Sequence, residues 1–231
     1  EANRVLSLYL SGTPGGDGEA LALEVLANAY QDIAENKNLE DAILQNTLNE
    51  LPDVGNPNIT HVRIEYSDGS IYFTFNETVD LSNVNKVNLN RITISNLVNG
   101  VVDPGNTINL ATSEIVAVNF AARSNVIRVK LLEQQRAQAI ALSGTSGGDN
   151  HSVYVHVEEN AFVDYAGNPN IRALDIVPEE VPDTVPPKVT AAAIDYTTGI
   201  VRITVDEFVD STPETRVDLS KILGVQATGD N

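Results

Sequence analysis

Six acidic positions occur twice in this chain: Asp17 with Asp149, Asp32 with Asp164, Asp53 with Asp183, Glu65 with Asp195, Glu77 with Glu207, and Asp80 with Asp210. Carboxylates from several loops are hard oxygen ligands of the kind calcium takes, roughly six to eight at a time in a tolerant geometry. No Asp-x-Asp-x-Asp-Gly loop is present, so any calcium site must be assembled from separate segments. The same side chains serve equally well as loop caps and Asx turns in solvent, and that reading stays open. Other chemistry has less to stand on. Without cysteine there is no thiolate nucleophile, disulfide or thiolate metal site. His61, His151 and His156 have no histidine at their repeated positions and read as surface residues. Ser and Thr lie near no recognisable His/Asp arrangement. The glycine-rich stretches Gly12–Gly18 and Ser143–Asn150 lack the Lys-Ser/Thr that a phosphate loop needs. No catalytic residue is assigned, and an enzyme is not expected.

The acids recur because the chain itself recurs. Ser11–Asn38 aligns with Ser143–Asn170 at a register of 132, and Asn56–Leu89 aligns with Pro186–Leu219 at a register of 130. The two-residue difference falls in a linker, where length changes cost least. A period of about 130 residues defines a tandem array. On that period residues 1–51 are the second half of one unit, 52–182 a complete unit, and 183–231 the first half of a third. Prolines at 52 and 57, and at 178, 182, 186 and 187, stiffen the two junctions.

The elements that must position the acids read mostly as strands. Ile59–Ile64 and Ile71–Phe75 form a hairpin across Ser67-Asp68-Gly69, with Ile71, Phe73 and Phe75 inward. The copy turns at Thr197-Thr198-Gly199, with Val201, Ile203 and Val205 inward. Further strands are expected at Arg91–Leu97, Glu114–Ala121 and Val126–Leu131. The alternation at Leu21–Val25 and Val153–Val157 gives two more, each with one buried face. Glu1–Leu10 and Glu133–Leu142 read as helical turns over the end of a sandwich. Leu39–Leu51 has helical apolar spacing, although a short final strand fits the same place; its counterpart Ile171–Val181, cut by Pro178, should be extended. Tyr66, Tyr196 and Tyr30 suit core or corner packing rather than a carbohydrate platform. About seven short strands with turn signals between them predict an all-β sandwich.

The net charge of −18 argues against nucleic-acid and anionic membrane surfaces. No apolar run is long enough to span a bilayer. Acidic charge suits solubility in salt, divalent-cation binding, or repulsion between strand edges. With no Met in the chain, Glu1 reads as internal or as a processed end.

The order of these motifs carries a resemblance. A linker Asp183–Pro187 (DTVPP), then a strand, a Gly turn and the runs Thr74–Asp80 (TFNETVD) and Thr204–Asp210 (TVDEFVD) resembles the opening of bacterial Ig-like domains of the S-layer and adhesin type. Phe162–Asn170 (FVDYAGNPN) is similar to the Asp-x-Ala-Gly-Asn motif near their last strands. The chain departs from the pattern at Asn56-Pro57, which replaces Pro-Pro, and at Ala34-Glu35-Asn36, which replaces Ala-Gly-Asn. The resemblance implies tandem Ig-like β-sandwiches, one complete and two partial, an extracellular or cell-surface location, and a role as spacer or assembly module in a filament, stalk, S-layer or adhesin. The alternative it leaves is a glycan- or ice-binding adhesive module. An Ig-like strand order would bring Asp53, Glu77, Asp80 and Asp164 to one linker end, the place expected for calcium. Partners would be neighbouring repeats or copies of the same protein. Either the chain is a slice of a longer repeat polypeptide, or the two half units complete one another between copies. Three Asn-x-Ser/Thr sequons, at Asn58, Asn76 and Asn150, are candidate glycosylation sites.

Overall fold

The structure is a computed structural model that describes residues 2–43, 48–116 and 124–224. It divides into two units, Glu1–Asp183 and Thr184–Asn231. The first opens with helix α1 (Ala2–Tyr9), whose Val5 is buried. The chain then pairs β1 (Leu23–Val25) with β2 (Asp41–Ile43), antiparallel, with Leu23 opposite Ile43. The helical reading of Leu39–Leu51 is therefore corrected. Residues 41–43 are a strand, residues 48–51 form no regular element, and residues 44–47 lie outside those described. Backbone hydrogen bonds across a ladder outweigh the weak intrinsic helix preference of a short segment.

The rest of the first unit follows in order: β3 (Ile59–Glu65), β4 (Ser70–Phe75), β5 (Ile92–Ser95), β6 (Thr107–Asn109), β7 (Glu114–Val116), β8 (Val126–Lys130), helix α2 (Glu133–Ala141), β9 (Tyr154–Val157), β10 (Ala173–Ile176) and β11 (Glu179–Val181). The part of the Glu114–Ala121 strand beyond Val116 lies outside the described residues. Among the described residues these strands make two sheets, ordered β11-β3-β4-β8-β7 and β10-β9-β5-β6. All pairings within them are antiparallel except β11 with β3.

The hairpin alternation holds as read: Val62 and Ile64 on β3, and Ile71, Phe73 and Phe75 on β4, are buried. With Ile127 and Val129 of β8 they share one core with Ile92, Ile94, Val155 and Val157 of the other sheet. Each such side chain contributes about 1.5–3 kcal/mol by leaving water. Phe162, just after β9, wedges between the layers. Its ring lies 5.6 Å from that of Phe73 and 5.0 Å, edge-on, from that of Phe75. Tyr66 closes the sandwich corner, where its hydroxyl donates to Glu180 Oε1 at 2.6 Å. Burial, then the Glu180 carboxylate, push that phenol far above its ordinary pKa.

In the second unit β12 (Val189–Asp195) and β13 (Ile200–Val205) form the repeated hairpin, turning at Gly199 with φ +72°. Val201 and Ile203, expected inward, are 55% and 39% exposed. No second sheet covers them among the described residues of that unit.

Candidate metal site at the acidic joint

Since β3 runs away from the linker and β4 returns, Glu77 arrives at the linker end. The turn after β9 brings Asp164 to the same place, through an isolated bridge between Val79 and Asp164. Asp53, Glu77 and Asp164 each offer one oxygen there, all within 4.8 Å of one another. Three of the four sequence-assigned ligands are thus together. Asp80 is engaged otherwise. Its Oδ1 accepts from Ser82 N–H at 2.8 Å in an Asx turn, and its Oδ2 lies 3.8 Å from Lys86 Nζ.

The three clustered acids already have partners. Asp164 Oδ1 accepts from Asn168 N–H at 2.7 Å and Oδ2 from Asn168 Nδ2 at 2.9 Å, which closes the Asp-Tyr-Ala-Gly-Asn turn. The same Asn168 amide donates to the Asp53 carbonyl at 3.1 Å. Asp53 Oδ1 accepts from Gly55 N–H at 3.0 Å. The remaining positive charge comes from Arg4 on α1, which donates to Asp53 Oδ2 and, at 2.9 Å, to Glu77 Oε2. Burial raises the Glu77 pKa, opposed by Arg4 and reinforced by the nearby Asp53 and Asp164 charges. The arrangement can bind a cation, and the Arg4 guanidinium of α1 stands in that role.

Arg4 escaped the sequence reading, yet the signal was present. Arg136 lies 132 residues on, at the register that paired the acids. Arg136 donates to Asp183, the repeat of Asp53, and at 2.9 Å to the Tyr66 carbonyl, while Glu133 holds its other edge at 2.7 Å. The helix-to-linker Arg–Asp pair therefore occurs twice.

The loops after the helices are also duplicates. Ser11 Oγ donates to Leu8 O at 2.7 Å, and Ser143 Oγ to Ile140 O at 2.8 Å. Gly16 N–H meets Thr13 O at 2.9 Å, and Gly148 N–H meets Thr145 O at 3.0 Å. These are helix-ending turns, with no phosphate-cradle character. In the first copy the loop seats on the sandwich. A Cβ at Gly15, whose φ is +91°, would lie 2.2 Å from Tyr165 O.

His156 corrects another expectation. It is 2% exposed on β9, with Nε2 3.0 Å from Leu97 O and Nδ1 accepting from Asp175 N–H at 3.1 Å. That network assigns the proton to Nε2. His61 and His151 are exposed, beside Glu179 and Asp149. The three sequon asparagines, Asn58, Asn76 and Asn150, are exposed, and Asn76 Oδ1 accepts from Asn58 N–H at 2.7 Å.

No helix among the described residues is long and apolar enough to cross a membrane. Compared with known family models, with curated proteins and with solved structures, the chain has no match.

Proposed function

We propose that the chain is a run of Ig-like repeats that acts as a spacer or assembly module in an extracellular filament, stalk, S-layer or adhesin. The observation that carries this reading is the duplicated joint. Arg4 to Asp53 and Arg136 to Asp183 tie each helix to the linker that follows it. A catalytic site needs a constellation that occurs once, whereas a spacer needs the same mechanical contact at every period. Strand order supports the Ig-like assignment: β3, β4, β8 and β7 occupy the places of strands A, B, E and D, and β5, β9 and β10 those of C, F and G.

The adhesive alternative needs exposed aromatic platforms. Tyr30 and Tyr196 are exposed, but they repeat Phe162 and Tyr66, which pack in the core, so their type answers to a core position rather than a platform. Calcium at Asp53, Glu77 and Asp164 is a second role for the joint, favoured by the convergence of three carboxylates and in competition with Arg4. The spacer reading is tested by raising an antibody against the 231-residue chain and labelling intact source cells. Labelling of the outer surface is the expected result, and label confined to the cell interior rules the reading out.

A further inference from the structure

We infer that His156 is a proton-operated catch on the edge strand β10: neutral, it pins β10 to β9, and protonated, it lets that strand lift from the sheet.

The catch joins three segments. His156 lies on β9, opposite Thr93 of β5. Its Nδ1 accepts from Asp175 N–H of β10 at 3.1 Å, and its Nε2 meets the Leu97 carbonyl at 3.0 Å. A backbone N–H can only donate, so Nδ1 is bare and the ring neutral while this geometry holds. The loop after β5 grips β10 as well. Asn99 N–H donates to Asp175 Oδ1 at 2.6 Å, and a Cβ on Gly100 would lie 3.3 Å from Leu174 Cδ2. Little else holds β10. It is an edge strand, matched to β9 only at Ala173 with Val157 and at Ile176 with Val155, with an irregularity between. There Asp175 takes φ +56°, a left-handed conformation that persists in a non-glycine residue only where its surroundings hold it. No residue of β10 is fully buried, and Ile176 is only partly buried against the core. Both flanks are anchored. Ile171 N–H donates to Pro57 O at 3.1 Å, Pro178 is buried, and β11 pairs with β3. The strand is therefore a short strap that can open while the two sheets stay folded.

Charged groups face the ring from β10 and from the end of β9. Asp175 Oδ1 lies 3.5 Å from Nδ1. Glu158, two residues on, is bound by Arg172 at 2.6 and 2.9 Å, with Arg91 also near. From β5 and its loop come only uncharged groups, Thr93 and the Leu97 carbonyl, and Tyr154 of β9 stacks on the ring at 6.5 Å. An imidazolium at this place is therefore not left without a counter-charge. A second proton has to sit on Nδ1, where it meets the Asp175 N–H head-on. The acceptor beside it is Asp175 Oδ1, and a charged donor with a carboxylate makes the stronger hydrogen bond. The proton thus exchanges one partner for another within a single residue: the ring gains the Asp175 carboxylate and the Asp175 amide loses its acceptor. With that amide released, nothing on β9 fixes the left-handed turn between the two paired positions of β10. Histidine is the side chain that makes such an exchange between about pH 5 and pH 8.

The experiment is nuclear magnetic resonance on the nitrogen-labelled 231-residue chain, titrated from about pH 8 to about pH 5. Amide exchange is corrected for its intrinsic pH dependence. At the alkaline end the His156 ring is expected to carry its proton on Nε2. As the ring titrates, the Asp175 amide signal moves with the same midpoint. Its protection falls by about tenfold, the worth of one lost hydrogen bond, while the amides of β3 and β4 keep theirs. His156→Gln keeps one acceptor and one donor but takes up no proton, so the response disappears. Asp175→Asn removes the carboxylate and moves both midpoints together. An Asp175 amide that stays put while His156 titrates overturns the inference. So does a ring protonated on Nδ1 at the alkaline end, a ring that stays neutral across the range, or a response that survives in His156→Gln. If the glutamine variant does not fold, the two midpoints in the parent chain decide alone.

Discussion

Replacing Phe162 by Ala, beside Tyr30 by Ala, tests whether Phe162 holds the covered core of the first unit while Tyr30 does not. The two residues hold the same repeat position. Phe162 has no exposed surface and touches two aromatic rings at 5.0 and 5.6 Å, while Tyr30 is 64% exposed. Truncating a buried Phe costs about 3–5 kcal/mol through lost transfer energy and the cavity left behind. An exposed substitution stays within about 0.5 kcal/mol. For a sandwich of this size a urea m-value of about 2 kcal/mol/M turns these costs into a midpoint drop of about 1.5–2.5 M for Phe162→Ala and about 0.25 M or less for Tyr30→Ala. The assay is urea unfolding of dilute protein followed by near-ultraviolet circular dichroism, which reports on the buried Tyr66 ring. Equal shifts for the two variants, or a Phe162→Ala shift below about 0.5 M, would refute the assignment of Phe162 as the bridge between the layers.

Gly15→Ala should release residues 1–51 from the sandwich, because the new Cβ meets Tyr165 O at 2.2 Å. Gly147→Ala, at φ +94°, meets only Ile140 Cγ2 at 3.4 Å and should leave that contact intact. Limited proteolysis reads the difference, and identical cleavage of both variants counts against the seated loop. Glu77 holds its proton more tightly folded than unfolded, so its contribution is most favourable at acid pH. Stability therefore declines as pH rises through the ordinary glutamate range and the elevated folded value; Glu77→Gln should flatten that decline in thermal melts, and an unchanged slope contradicts it. His156→Leu strands the Asp175 N–H and the Leu97 carbonyl and should cost about 1–3 kcal/mol in chemical denaturation. A loss no larger than that of an exposed substitution would mean the network contributes nothing. Arg4→Ala should strengthen calcium binding measured by titration calorimetry, since the guanidinium no longer holds Asp53 and Glu77. Equal heats for variant and parent dispose of the competition.

The hairpins were legible because β3 and β4 bury one face each, which is the situation period-two alternation describes. β9 defeats the same rule. Its Val155 and Val157 face the core as read, but His156 on the opposite face is also covered, held by Leu97 and by Asp175 at an irregularity in the β9–β10 pairing. A strand covered on both sides carries no outward polar signal beyond the hydrogen bonds its side chain makes. Leu39–Leu51 misled because apolar spacing is local, whereas the pairing of β2 with β1 is not. At the joint, repetition identified the acids but not their counter-charge. Carboxylates near one another suggested a metal; the repeat of Arg4 as Arg136 was readable, but only the fold puts its guanidinium beside them. Asp80 sits only three residues past Glu77, yet its carboxylate is spent on Ser82 within its own turn.

The parallel pairing of β11 with β3 joins the last strand of the two-sheet core to its first, with Val181 opposite Glu65 and Tyr66 N–H on the Val181 carbonyl at 3.0 Å. These two strands lead directly to the linkers on either side. Were the two linkers pulled apart, tension would enter at β3 and leave at β11, drawing two neighbouring parallel strands in opposite directions. The ladder is then loaded in shear, so its hydrogen bonds must yield together instead of unzipping one at a time. Since the chain enters and leaves the two sheets through these two strands, such a pull would reach the β3–β11 ladder first.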